Sequence, residues 1–160
     1  MLYFAYGSNM EVCEITEPCP SADFRCTATL RDHRIAFTRM SRRRGCGVAD
    51  VLPEKGHDVW GVVYDIPEPE LPALDAKEGY KLGRAKNAYV RRDVTVYEAG
   101  NQLKPMVVCT YFAEREASPP LPNECYKKTI LRGARHWNLP DHYIAELDQI
   151  RTAWGINGDR

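Results

Sequence analysis

Apolar positions alternate with polar ones up to Phe112 and then switch to a helical spacing that lasts to the end of the chain. Residues 2–6 read as a short buried strand, broken by Gly7, Ser8 and Asn9. Residues 10–16 suit a brief helix that Pro18 and Pro20 stop. Residues 24–30 predict a strand with Phe24, Cys26, Ala28 and Leu30 on one face; Arg31, Asp32 and His33 follow as a turn. A second strand over 34–39 points Ile35 and Phe37 inward, and residues 41–47 form a polar, glycine-bearing loop. Residues 48–52 are short and apolar, and 53–58 read as another turn.

Residues 59–65, Val-Trp-Gly-Val-Val-Tyr-Asp, carry the strongest strand signal. They are β-branched and aromatic on both faces, as a central strand requires. Residues 69–77 suit a short helix with proline near its first turn. Residues 89–99 and 103–112 form a hairpin around Gly100 and Asn101. Two helices close the chain. Asn123 caps the first, which carries Ile130, Leu131, Ala134 and Trp137; Asp141 caps the second, which presents Tyr143, Leu147 and Ile150. Strands first and helices last predict an α+β fold, a curled or barrel-like sheet covered by helices. The 160 residues are expected to form one domain, residues 1–160.

Composition adds mostly exclusions. The formal net charge is zero, so no whole-molecule field draws in nucleic acid or an acidic membrane. No segment approaches the roughly 20 apolar residues of a membrane span, and the N-terminus lacks the basic and apolar regions of a signal peptide. A cytoplasmic protein is expected, with its six cysteines reduced and acting mainly as small core residues. The four histidines are scattered without ligand spacing, and neither a metal nor a cofactor is expected. Arg42, Arg43 and Arg44 form the one charge run. It reads first as a solvated loop, and second as a clamp for an acidic substrate. A nucleic-acid patch would need aromatic residues among the arginines, and there are none.

Three segments, in order and at compatible spacing, resemble one family. Tyr-Phe-Ala-Tyr-Gly-Ser-Asn at 3–9 is similar to the N-terminal signature of γ-glutamylcyclotransferases. Asp-Val-Trp-Gly-Val-Val-Tyr at 58–64 is similar to their central strand. Leu-Asp-Ala-Lys-Glu-Gly-Tyr at 74–80 is similar to the segment that holds their catalytic glutamate. Tyr126, Lys127 and Lys128 with Gly133 and Ala134 continue the pattern, so the resemblance spans about residues 2–145. It implies a small mixed β-barrel flanked by helices, with a site at one mouth. It also implies action on a small-molecule γ-glutamyl substrate, in a monomer or a homodimer. Members differ in the amine they release, and fold alone does not fix the reaction.

The residues suit that chemistry. In a γ-glutamyl amide the substrate's own α-amine can attack its γ-carbonyl, closing the lactam 5-oxoproline and releasing an amine. The protein then needs one group to move protons, and Glu78, just before a glycine at a helix end, is the candidate. Backbone N–H groups around Tyr6, Gly7, Ser8 and Asn9 are candidates for binding a carboxylate or oxyanion. Ser8 lacks the glycine elbow of a nucleophilic serine. The resemblance puts Tyr89 and Tyr126 in the pocket wall, although residues 81–88 lengthen the loop before Tyr89. Asp75 is expected to be a structural hydrogen-bond acceptor, and Tyr3, Tyr64, Trp60 and Trp137 are expected in the core. A binding-only domain or a hydrolase on the same fold remains open, and product identity separates them.

Overall fold

The computed structural model describes residues 1–153; residues 154–160, the end of the expected domain, lie outside the described residues. Five strands close into a barrel in the order β1-β3-β2-β4-β5. The strands are β1 (Leu2–Ala5), β2 (Asp23–Ser41), β3 (Cys46–Asp65), β4 (Tyr89–Glu98) and β5 (Pro105–Ala113). All neighbours run antiparallel except β1 and β5, which close the barrel in parallel through Tyr3 and Cys109. The sheet is therefore mixed, as expected. Among the described residues four α-helices accompany it: α1 (Val12–Thr16), α2 (Leu71–Lys77), α3 (Glu124–His136) and α4 (Asp141–Asp148). Among the described residues no helix is long and apolar enough to cross a membrane.

The core forms where both faces of the central strand are covered. Val59, Val62, Val63 and Tyr64 of β3 are almost wholly buried and pack with Phe4 of β1, Leu74 of α2 and Ile130 of α3. Gly61 lies where β1 crosses most closely: a Cβ there would come within 2.4 Å of the Ala5 carbonyl oxygen.

Two expected turns are not turns. β2 and β3 run straight through residues 31–33 and 53–58 as one long antiparallel pair. The polar and glycine residues there produce a bulge instead: pairing jumps from Arg31–Asp58 to His33–Pro53, with Asp32 at φ 54° and Gly56 at φ 84°. The Asp32 carboxylate accepts from the Gly56 N–H at 2.9 Å and ties the irregularity together. Bulges also change which side chains face inward, because each slip of one residue reverses the faces. Ala36 and Thr38 are buried while Ile35 and Phe37 are half-buried, and Phe24 lies partly exposed, stacked on Trp137 at 4.2 Å.

The helix caps divide. The Asn123 side chain accepts from Tyr126 N–H at 2.8 Å, as expected. Asp141 does not cap α4; Pro140 occupies that position, and its fixed φ starts the helix without a side-chain bond. All six cysteines are free thiols.

Candidate active site

The carboxyl ends of β1, β2 and β5 and the amino ends of β3 and β4 meet at one mouth of the barrel. A cavity of ≈ 710 Å³ opens there, within the range of small-molecule sites. Directly after β1, Ser8–Met10 form a single 3-10 turn. Its leading N–H groups have no partner within the turn, whose first bond runs from Met10 N–H to the Gly7 carbonyl at 3.1 Å. Two deliveries hold this turn in place: Trp137 Nε1 and the Tyr64 hydroxyl both donate to the Met10 carbonyl, at 2.8 and 3.1 Å. Gly7 allows the turn to lie against β3 and α3, since a Cβ there would sit 3.2 Å from Ala49 Cβ and 3.6 Å from the Tyr126 hydroxyl.

Across the cavity, α2 ends at Glu78. The helix stops because Gly79 takes φ 64°, and the turn is closed by Gly79 N–H to Ala76 and Tyr80 N–H to Asp75 carbonyls. Glu78 Oε1 accepts from Asn9 Nδ2 at 2.8 Å, and the same amide nitrogen donates to the Tyr3 hydroxyl at 2.9 Å. Burial pushes the Glu78 carboxyl above its ordinary range; the Asn9 hydrogen bond and the charges of Lys77, Arg44 and Arg43 pull it back only in part. Burial likewise drives the hydroxyls of Tyr3, Tyr6 and Tyr89 well up, and that of Tyr126 to about 12. These phenols therefore remain O–H donors at neutral pH.

The remaining wall is organised around Ala49. Its carbonyl accepts from the Tyr89 hydroxyl at 2.7 Å, and its N–H donates to the Tyr126 hydroxyl at 3.1 Å. Beside it, wholly buried Asp50 accepts from Thr38, Arg115 and the N–H groups of Val51 and Ala113, at 2.8–3.1 Å. Four donors satisfy a buried carboxylate and lock this stretch of β3. Tyr6 is turned into the barrel wall, its hydroxyl donating to the Tyr111 carbonyl at 2.5 Å. Glu78, Tyr6, Gly7, Ser8, Asn9, Tyr89 and Tyr126 all line this cavity.

Comparison with known proteins agrees with this geometry. The AIG2-like family model matches residues 58–147. The mouse and human proteins named γ-glutamylcyclotransferase are each 36% identical to this chain over 154 residues, 93% of this chain and 78% of theirs. A solved γ-glutamyl cyclotransferase superposes with a TM-score of 0.86 at 31% identity, covering 98% of this chain and 91% of its own. A solved human protein gives 0.85 at 33% identity, covering 99% and 91%. The chain belongs to the γ-glutamylcyclotransferase superfamily. Its barrel and helices are those of that superfamily, as the resemblance in the sequence implied.

The cavity also draws on residues that the sequence reading gave a purely structural place. Tyr3 is buried, as expected of a core residue, yet its hydroxyl faces the cavity and holds Asn9. Asp75 accepts from the Tyr111 hydroxyl at 2.7 Å and from Arg91 at 3.0 Å, a structural acceptor that fixes the aromatic floor beside Tyr3. The hydroxyl of a strand tyrosine gives no periodic signal, so neither Tyr3 nor Tyr111 could be separated from core packing. The arginine run meets both of its expected settings: Arg42 and Arg43 are exposed to solvent, and Arg42, Arg43 and Arg44 all border the cavity. The Arg44 guanidinium stacks 4.7 Å from the centre of the Tyr126 ring and pairs with Glu14 at 2.9 Å. Only the closure of β2 onto β3 reveals that this turn overhangs the mouth.

Proposed function

We propose that this protein is a γ-glutamyl amide cyclotransferase, with Glu78 as its general base and acid and one domain, residues 1–160, carrying the reaction. The observation that carries this reading is the half-buried Glu78 carboxyl, raised in pKa, lining the cavity and hydrogen-bonded to Asn9 of the open turn after β1. A γ-glutamyl substrate enters with its α-amine as ammonium. Glu78 takes one proton from it; the amine nitrogen bonds to the γ-carbon, and the carbonyl electrons move onto oxygen. When the tetrahedral intermediate collapses, the C–N bond to the leaving amine breaks and Glu78 returns its proton to that nitrogen; the ring nitrogen gives up its second proton as well, and the amine departs as ammonium, so two protons have passed from one nitrogen to the other. The products are 5-oxoproline and a free amine, with no water consumed.

Each part of the site has a task. The tethered nucleophile spares the protein a covalent step, and holding it in the attack geometry is worth about 7–11 kcal/mol. The leading N–H groups of the Ser8–Met10 turn suit the substrate carboxylate or the developing oxyanion. Tyr89 and Tyr126, fixed through Ala49, shape the wall opposite. A carboxyl raised by burial accepts and returns a proton more readily near neutral pH than an exposed one.

The test is product identity. Incubated with γ-glutamyl-alanine, γ-glutamyl-glycine and Nε-γ-glutamyl-lysine, the protein should release 5-oxoproline in equal amount to free amine from at least one. Glutamate as the product would mean hydrolysis, and ligand binding without either product would mean a binding domain; both outcomes reject the proposal.

A further inference from the structure

The β2–β3 turn brings more positive charge to the cavity than the neutral chain as a whole would suggest. Arg39, Arg42, Arg43, Arg44 and Lys77 all border it. Glu14, lying behind the rim, serves three of these cations: Arg44 at 2.9 Å, Lys77 at 3.0 Å and Arg43 at 4.0 Å. Glu116 approaches Arg39 at 3.9 Å. Arg42 pairs with no carboxylate among the described residues. Glu17 also reaches Lys77, at 4.0 Å, so with Glu78 counted as an anion five cations meet four carboxylates. One positive charge is in excess, and the two exposed guanidiniums, Arg42 without a carboxylate among the described residues and Arg43 4.0 Å from Glu14, are the ones least engaged.

A γ-glutamyl group brings no net charge to answer this, because its α-ammonium offsets its α-carboxylate. Carboxylates to meet these two guanidiniums would come from the other side of the scissile bond. We propose that Arg42 and Arg43 select the leaving amine by its carboxylates, and that the preferred substrate releases a dicarboxylic amino acid such as glutamate or aspartate. This rests on the cyclotransferase reading of the same site. Arg44 is engaged already, stacked on Tyr126 and paired with Glu14, so it supports the rim while its two neighbours remain free to reach a ligand. Guanidinium groups suit the task, since their planar donors match a carboxylate in two parallel bonds. The cavity of ≈ 710 Å³ has room for a second amino acid beyond the glutamyl group.

Three ligands of graded charge decide the matter: γ-glutamyl-alaninamide, γ-glutamyl-alanine and γ-glutamyl-glutamate. With the native protein, kcat/KM for 5-oxoproline release should rise along this series by roughly tenfold per carboxylate, and the rise should shrink as salt is raised. In the double variant R42A/R43A, whose side chains are exposed, the three values should converge to within about threefold, mainly through KM for γ-glutamyl-glutamate. A flat or reversed series in the native protein, with 5-oxoproline formed, overturns the inference and leaves the function standing. So does a gradient that survives in R42A/R43A. If none of the three yields 5-oxoproline, the cyclotransferase reading falls instead. Dissociation constants for the same ligands, measured by calorimetry on Glu78→Gln and on that variant with R42A/R43A added, then decide the inference alone: a charge gradient lost on removing the arginines sustains it, and equal constants overturn it.

Discussion

In the proposed reaction Glu78 depends on its amide partner and on having no cation paired with it among the described residues. Its carboxyl meets Asn9 Nδ2 at 2.8 Å, while the charges that act on it, Lys77, Arg44 and Arg43, make no direct ion pair with it. Lys77 is instead drawn to Glu14. A directly paired glutamate would be held low and would be a poor proton acceptor at neutral pH. Asn9 is a positioning residue here: it lowers the Glu78 pKa somewhat and, through the Tyr3 hydroxyl, fixes where the carboxyl points. The substitution Asn9→Ala removes a hydrogen bond to the charged form, so the Glu78 pKa should rise further. The base must be ionised to act, and activity falls as pH drops through its pKa. The acid limb of the kcat/KM profile should therefore move to higher pH in Asn9→Ala, which a merely structural asparagine would not do. An unmoved limb with reduced kcat would assign Asn9 to folding alone.

At the scale of elements, the site depends on how α3 seats the turn after β1. Gly133 lies at that contact: a Cβ on it would come 2.5 Å from the Met10 carbonyl carbon and 2.6 Å from Glu11 N, both backbone atoms that cannot rotate away. Alanine is favoured over glycine in a helix by about 1 kcal/mol, yet overpacking of this kind costs typically 1–3 kcal/mol. Gly133→Ala should therefore lower thermal stability, by about 2–4 °C for each kcal/mol lost, and lower kcat by displacing Asn9. A variant that melts higher and turns over normally would show that α3 does not set the turn. The strand over 59–65, the Asn123 cap and the hairpin at Gly100 were legible because local chemistry decides them. The bulges at Asp32 and Gly56 were read as turns because polar residues and glycine mark both, and only pairing with the partner strand tells them apart. Tyr3, Asp50 and the arginine turn acquire their places around the cavity only when the strands close into the barrel.

For the molecule as a whole, function is set against stability. The chain is neutral, but its charge is uneven, with cations gathered at one mouth and a wholly buried aspartate locking the strand behind it. Glu78 is the group whose burial works against the fold. A carboxyl raised in the folded state binds its proton more tightly there than in the unfolded chain. Its contribution to stability is present below the unfolded carboxylate range and is lost as pH rises through the folded value. Glu78→Gln should therefore melt above the native protein at pH 7–8, with the difference vanishing below about pH 4. Such trade-offs are expected where a site needs a group its surroundings disfavour.

That variant also provides the most direct test of the central claim, that one carboxyl shuttles a proton within a ligand that cyclises on itself. The measurement is the rate of 5-oxoproline release from a γ-glutamyl amide by folded Glu78→Gln. Glutamine keeps the size of the side chain and can still accept from Asn9, but it cannot carry the proton. The rate should fall by about 10²–10⁴-fold or more while ligand binding persists. A rate within a few-fold of the native protein's would contradict the account.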